Sequence, residues 1–261
     1  MVDALYVAAT GMRAHQAEVD VISNNVANVT TVGFRRESVS FSALTAAMAA
    51  GSVDPAFEAT RPATAQPGSG TVGEVVRSSA AGELKATGEP LNVAIDGAGF
   101  IEVLREDGSS AYTRAGMLGV NADGLLATAA GRPLATQIAV PTDAVAITIG
   151  TDGRVMAQLS TDKVPTELGK IELTSFANSA ALTPLGDSLF GATPEAGEPS
   201  RGQAGENGLG AVRQGFLESS NVNMSDEMVS LMIAQRAFEM NSRVFQVADQ
   251  MLSLTNSLAH S

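Results

Sequence analysis

Few residues of this chain have the types and spacing that catalysis requires. There is no cysteine in the 261 residues, and the two histidines, His15 and His260, lie near the two ends. Thiolate chemistry and cysteine-ligated zinc are therefore excluded, and little remains for histidine-based acid–base catalysis. Residues 186–190 (GDSLF) resemble the start of a nucleophile elbow, but the second glycine is missing and neither histidine is an obvious base for Ser188.

Two further patterns are better explained as linkers and turns than as binding sites. Residues 68–73 (GSGTVG) match the dinucleotide pattern GxGxxG, but a proline-rich stretch precedes them, whereas the motif must join a strand to a helix. Asp-Gly pairs suit hairpin turns, and they lack the remaining ligands of a calcium loop. These pairs begin at Asp96, Asp107, Asp123 and Asp152. The sequence therefore predicts no cofactor, no metal and no enzymatic activity.

The charge balance argues against two classes of partner. The chain has 28 acidic and 16 basic residues, a formal charge of −12. Nucleic acids and anionic membrane surfaces both require clustered positive charge, so neither is an expected partner. No segment reaches the roughly 18 apolar residues of a membrane span, which predicts no membrane insertion. The N-terminus carries Asp3 where a signal peptide would be positive, so we expect export without a cleaved signal peptide.

The elements that position the remaining residues are helical ends around a β-rich middle. Residues 12–32 and 216–261 contain no Gly or Pro, and all ten prolines lie between them. Both ends carry apolar residues at heptad spacing. We predict an α+β fold in which long N- and C-terminal helices pair as a coiled coil, with an inserted antiparallel β-rich domain and an extended arm. The C-terminal apolar rows span roughly 160°, more than one partner helix covers, so the middle domain or other copies must cover the rest.

One segment contains more asparagine than a helix end requires. Residues 23–36 (SNNVANVTTVGFRR) place Asn24, Asn25 and Asn28 within one helical turn, followed by Gly33. Asparagine and glycine both suit the close of a helix. A helix stop alone explains the glycine but not the three asparagines.

This segment closely resembles the N-terminal signature of bacterial flagellar rod and hook proteins. Residues 215–223 (GFLESSNVN) and 234–241 (AQRAFEMN) resemble the other end of the same family, and residues 91–100 (LNVAIDGAGF) and 112–116 (YTRAG) resemble its middle. The resemblance runs almost from end to end. Length and arrangement are most similar to the distal-rod member, with the proximal rod as the alternative.

The resemblance implies a structural subunit that self-assembles into the hollow distal rod of the flagellar basal body. Such a rod spans the periplasm, transmits torque from motor to hook and encloses the export channel. The implied partners are copies of the chain in a helical homopolymer, other rod subunits, the hook protein, and the P-ring and L-ring proteins as a bushing. The implied export route is the flagellar type III route. A periplasmic glycan-binding β module is the alternative from a different class, but it would not need two long amphipathic ends.

The family arrangement implies five divisions of the chain. These are residues 1–34 (N-terminal helix of an inner coiled-coil domain), 35–71 (extended arm), 72–205 (β-rich outer domain), 206–215 (Gly-rich linker) and 216–261 (C-terminal helix of the inner domain). Residues expected to pack the helices and the assembly are Leu5, Met12, Val19, Ile22, Asn24, Asn25, Val26, Asn28, Gly33, Phe34, Asn221, Met224, Leu231, Gln235, Arg236, Phe238, Asn241, Phe245 and Leu252.

Overall fold

The computed structural model describes residues 2–40, 74–160 and 164–259. These residues contain two α-helices, α1 (Val2–Ala27) and α2 (Met224–Ala259). α2 begins where Asn223 caps it, since Oδ1 of Asn223 accepts a hydrogen bond from the Ser225 N–H at 3.0 Å. Asp226 and Glu227 in the first turn suit the positive end of the helix dipole. Neither helix, in its described part, is long and apolar enough to cross a membrane.

The rest of the described chain is mostly β-structure. Its strands are β1 (Glu37–Ser40), β2 (Glu74–Arg77), β3 (Leu84–Ala86), β4 (Val93–Asp96), β5 (Phe100–Leu104), β6 (Ser110–Thr113), β7 (Leu118–Val120), β8 (Leu126–Thr128), β9 (Ala144–Ile149), β10 (Arg154–Leu159), β11 (Thr166–Lys170), β12 (Glu172–Ser175), β13 (Thr183–Gly186), β14 (Leu189–Gly191), β15 (Ser200–Gln203), β16 (Ala211–Gln214) and β17 (Phe216–Glu218). Two 3₁₀ turns lie at Ser179–Ala181 and Pro194–Ala196.

The chain divides into two compact units. The helical unit comprises the described residues of 1–26, 37–76 and 223–261, and contains α1, α2 and the β1–β2 pair. The β-rich unit comprises the described residues of 27–36 and 77–222. The predicted boundaries of the five divisions stay predictions, and most of the predicted arm at 35–71 lies outside the described residues.

Antiparallel pairing builds the β-rich unit. Its largest sheet has six strands in the order β13-β14-β6-β5-β12-β15, and a second sheet has the order β11-β10-β9. Alternation explains which side chains form the core: in β10, Val155 and Ala157 are buried while Arg154 is exposed. The main core includes Ile101, Val103, Leu126, Val155 and Leu173, and a smaller cluster surrounds Tyr112 and Phe190.

The predicted coiled coil is wrong. Strands predominate in the described chain, and the structure does not show α1 and α2 pairing as a coiled coil. Two contacts between the helices involve polar or small residues: Asn25 contacts Glu227, and a Cβ on Gly11 would lie 2.8 Å from the amide nitrogen of Asn241. In the C-terminal row, by contrast, Met224, Phe238 and Phe245 stay 47%, 37% and 39% exposed. Heptad spacing thus identified an apolar face of α2, but not a helix within the chain that covers it.

Candidate functional site

A buried amide closes the end of α1 in the helical unit. Asn25 is 1% exposed, its Nδ2 donates to the Glu37 carbonyl at 2.7 Å, and its Oδ1 accepts from the Glu37 N–H at 2.9 Å. The same Nδ2 donates to Oε2 of Glu227 at 3.1 Å. Glu227 is fully buried in the first turn of α2. One asparagine therefore joins the end of α1, the start of β1 and the start of α2.

The covered face of α2 is narrow and contains small and polar residues together with Leu231. Glu227 and Ala234 are buried, and Leu231, Ala237 and Asn241 are half-buried. These positions recur at spacings of three and four residues, which places them on one face of the helix. The broader apolar surface lies elsewhere on α2.

That broader surface is largely exposed in the single chain. Eleven large apolar side chains of α2 are at least 37% exposed. They are Met224, Met228, Val229, Met232, Ile233, Phe238, Met240, Val244, Phe245, Val247 and Met251. We call this set the α2 apolar face. So many exposed large apolar side chains on one helix indicate an interaction surface.

A buried charge cluster lies in the β-rich unit. Glu218, 1% exposed, forms an ion pair with Nη2 of Arg35 at 2.8 Å and accepts a hydrogen bond from Nε of Arg114 at 2.7 Å. Its Oε1 also accepts from the Gly82 N–H at 2.9 Å. Arg114 in addition donates to the carbonyls of Gly99 at 2.6 Å and Gly97 at 2.9 Å. We call Arg35, Arg114 and Glu218 the motif junction.

Backbone geometry at Gly33 lets the chain reach this junction. Gly33 has φ of +71°, and its N–H donates to the Glu218 carbonyl at 2.9 Å. A Cβ here would lie 2.9 Å from the carbonyl carbon of Arg114. Asn221 bonds two backbone segments near the junction: its Oδ1 accepts from the Arg36 N–H at 2.6 Å and its Nδ2 donates to the Ala80 carbonyl at 2.9 Å. Only glycine combines this conformation with so close an approach.

The motif junction has more positive than negative charge. Two guanidinium groups share one carboxylate, and Arg35 and Arg114 are 7% and 4% exposed. Burial lowers the pKa of Arg35, the like charge of Arg114 lowers it further, and the charge of Glu218 acts in the opposite direction. The buried excess of positive charge makes the junction electrostatically costly.

The structure separates the predicted assembly residues into three groups. Ile22, Asn25 and Gly33 are buried, and the half-buried ones are Met12, Val19, Val26, Asn28, Phe34, Asn221, Leu231 and Asn241. The exposed ones are Asn24, Met224, Gln235, Arg236, Phe238 and Phe245. The side chains of Leu5 and Leu252 lie outside the described ones. Their predicted roles in assembly stay predictions.

Sequence reasoning missed four of the residues that hold these sites together. Arg35, Arg114, Glu218 and Glu227 were not among the predicted residues. Arg114 and Glu218 lie inside family-like motifs, and this was the available signal. Their pairing could not be deduced, because Nε of Arg114 and Oε2 of Glu218 meet across 104 positions of sequence. Among the described residues, no three His, Asp or Glu side chains gather as a metal site would require.

Comparison with known proteins decides the family. Three family models match: one described as flagella basal body rod protein over residues 5–35, one as flagellar hook protein FlgE/F/G D1 domain over residues 94–157, and one as flagellar basal body rod FlgEFG protein C-terminal over residues 213–258. The flagellar basal-body rod protein FlgG of Agrobacterium fabrum is 42% identical, covering 97% of this chain and 98% of its own length. The chain belongs to the flagellar basal-body rod protein FlgG family.

Two further members of the FlgG family match over the same extent. The protein of that name from Borreliella burgdorferi is 39% identical over 99% of both chains, and that from Caulobacter vibrioides is 40% identical over 98% of both. Arg35, Arg114 and Glu218 each come from a different one of the three matched segments. The chain is a structural subunit of the flagellar basal-body rod, and its family is not enzymatic.

Proposed function

We propose that the chain self-assembles into the hollow distal rod, which transmits torque from motor to hook and encloses the export channel. The observation that carries this proposal is the α2 apolar face. Ile233 and Met240, each 63% exposed, are its most exposed members. In this proposal the face packs against neighbouring copies, and a contact between unlike surfaces that does not close into a ring extends as a helical filament.

The energetics support burial of this face in an assembly. Complete burial of a Val, Ile, Phe or Met side chain contributes about 1.5–3 kcal/mol. The eleven exposed side chains are roughly half covered already, so each retains about 1 kcal/mol to gain from a neighbour. Their sum, roughly 10 kcal/mol, is of the same size as the roughly 4–15 kcal/mol lost on association. The charge of −12 opposes association between copies, so we expect assembly to strengthen as salt screens that repulsion.

The finer partners and location belong to the same proposal. We expect contacts with other rod subunits and with the hook protein at the two ends of the polymer. We also expect the rod to span the periplasm, with the P-ring and L-ring proteins as its bushing. The similarity of residues 94–157 to a domain shared by hook and rod proteins supports the expected contact with the hook.

The test is extension of rod seeds by the full-length chain. Seeds are built from the rod proteins of the same organism, and extension is followed by sedimentation and negative-stain microscopy. The double variant Ile233→Gln/Met240→Gln changes the face, and Val145→Gln, at a residue of β9 that is 72% exposed, is the matched control. We expect the unmodified chain and the control to extend the seeds and the double variant to fail. Extension by the double variant would exclude the α2 apolar face, and seeds left unextended by the unmodified chain would overturn the distal-rod proposal.

A further inference from the structure

A cavity of about 280 Å³ lies in the β-rich unit beside the motif junction. Its lining includes three arginines and three phenylalanines, namely Arg35, Arg77, Arg114, Phe100, Phe176 and Phe190. Sites for drug-sized ligands occupy about 300–1,000 Å³, so this cavity suits one or two protein side chains better than a cofactor.

The charge of the lining is opposite to that of the chain. The cavity wall contains no carboxylate, although acidic residues outnumber basic ones 28 to 16 in the chain. Glu218 lies behind the wall and neutralises one of its two buried arginines. The hydrogen bonds and ion pair of Arg35 use three of its five N–H donors within the described chain. The excess positive charge is costly to bury, and an anion in the cavity would offset that cost.

Two phenylalanine rings of the cavity lie against arginine guanidinium groups. The guanidinium carbon of Arg77 lies 4.9 Å from the ring centre of Phe190, and that of Arg114 lies 5.7 Å from the ring centre of Phe100. The rings of Phe100 and Phe176 pack edge to face, with centres 6.1 Å apart. The cavity thus presents the positive charge of three arginines to a carboxylate, and phenylalanine ring surface to the carbons that carry it.

We propose that this cavity binds an acidic side chain of a neighbouring copy of the chain. The carboxylate lies against the guanidinium groups, and the methylene or neighbouring apolar carbons lie against the phenylalanine rings. The acidic surplus of the chain supplies such side chains on every copy. The proposal that a neighbouring copy supplies the acidic side chain rests on the proposed self-assembly. The proposal that the cavity binds an anion does not.

The first experiment measures ligand binding to the cavity in the full-length chain, at a concentration below that at which the chain assembles. Phenylacetate is the probe, phenylacetamide is its uncharged counterpart, and binding is followed by backbone NMR shifts near Ser78 and Phe100. We expect saturable binding of phenylacetate and at least tenfold weaker binding of phenylacetamide, because a charge-assisted hydrogen bond contributes about tenfold or more in affinity. Equal binding of both probes, or binding of neither, would overturn the anion site.

Matched arginine variants separate the cavity from general charge effects. Arg77→Gln removes a half-buried cavity arginine, and Arg154→Gln removes one that pairs with Asp152 and lies outside the lining. We expect Arg77→Gln to weaken phenylacetate about tenfold, Arg77→Lys to retain most of the affinity, and Arg154→Gln to change nothing. Equal affinity of Arg77→Gln and the unmodified chain would exclude Arg77 from the site.

The second experiment uses rod-seed extension to test whether a neighbouring copy of the chain fills the cavity. We expect Arg77→Gln to raise the concentration needed for extension severalfold relative to Arg154→Gln. Phenylacetate binding with unchanged extension by Arg77→Gln would overturn a neighbouring copy as the occupant. Failure of the unmodified chain to extend seeds would overturn the proposed function, and the NMR titration would still decide whether the anion site exists.

Discussion

Asn25 and Glu227 lie 202 positions apart in the sequence, and yet the Asn25 amide donates to the Glu227 carboxylate at 3.1 Å in a fully buried setting. The same amide makes two hydrogen bonds to the backbone of Glu37. Because buried polar groups must be satisfied, this small network fixes where α1 ends, where β1 starts and where α2 begins. The helical unit is therefore held at this point by directional hydrogen bonds between groups of fixed geometry.

The first prediction concerns this amide. Asn25→Ala leaves the Glu37 N–H and carbonyl without their partner, and we expect a loss of about 2–4 kcal/mol in the free energy of unfolding. Urea unfolding followed by circular dichroism at 222 nm measures it. Asn24→Ala, at the exposed neighbour in the same motif, is the control and should cost at most about 1 kcal/mol. Equal losses in the two variants would show that burial of Asn25 does not decide stability.

The second prediction concerns the motif junction. Glu218→Gln keeps the shape of the side chain but leaves Arg35 and Arg114 without a neutralising carboxylate, and we expect a loss of about 3–5 kcal/mol. The control is Asp96→Asn, which breaks the Asp96–Arg213 ion pair, where both side chains are about half exposed. An exposed pair contributes at most about 1 kcal/mol. Urea unfolding of both variants gives the comparison, and a loss below that of the control would contradict a stabilising role for the junction.

The helices and turns of this fold were more predictable from the sequence than the contacts between them. Absence of Gly and Pro together with heptad spacing correctly predicted a helix at each end, since helix propensity and periodicity are local properties. The pair Asp107-Gly108 correctly predicted the turn between β5 and β6. The excess of asparagine drew attention to residues 23–36, where Asn25 is buried, but the assembly role predicted for them stays a prediction.

What covers each surface was not predictable. The heptad rows of α2 show that an apolar face exists, but periodicity carries no information on whether a helix of the same chain or another copy covers it. This is why the coiled-coil prediction failed. The motif junction was missed for a different reason. Arg35, Arg114 and Glu218 belong to separate segments of the sequence, and only the fold of the β-rich unit brings them together.

The third prediction uses two glycines with the same backbone conformation. Gly33 and Gly88 have φ of +71° and +75°, but a Cβ would meet the Arg114 backbone at Gly33 and open space at Gly88. Positive φ costs an alanine about 1–2 kcal/mol at either position. We expect Gly33→Ala to cost at least about 1 kcal/mol more than Gly88→Ala, because its Cβ also pushes against backbone that cannot move. Thermal and urea unfolding measure the difference, and equal costs would mean that the approach to Arg114 relaxes freely.

The fourth prediction is a pH dependence at Glu102. Its carboxylate accepts from Nε and Nη2 of Arg201 at 2.6 Å each and from Ser110 at 2.6 Å. Burial alone raises the pKa of Glu102, but hydrogen bonds from Arg201 and Ser110 and the charge of Arg201 outweigh it and lower the pKa below the ordinary 4.5. Because the folded pKa is lower than the unfolded one, this stabilisation is complete above pH 4.5 and is lost as the pH falls through the folded value.

The measurement is urea unfolding of the unmodified chain and Glu102→Gln between pH 7 and pH 3. We expect the variant to be less stable by about 1 kcal/mol at pH 7, a small figure because Arg201 is 58% exposed. The two proteins should converge below pH 4.5, where the carboxyl of the unmodified chain takes up its proton. Glu106→Gln, at the exposed tip of the β5–β6 hairpin, is the control and should follow the unmodified chain throughout. A gap for Glu102→Gln that stayed constant to pH 3 would mean that packing, and not the charge of Glu102, supplies the stability.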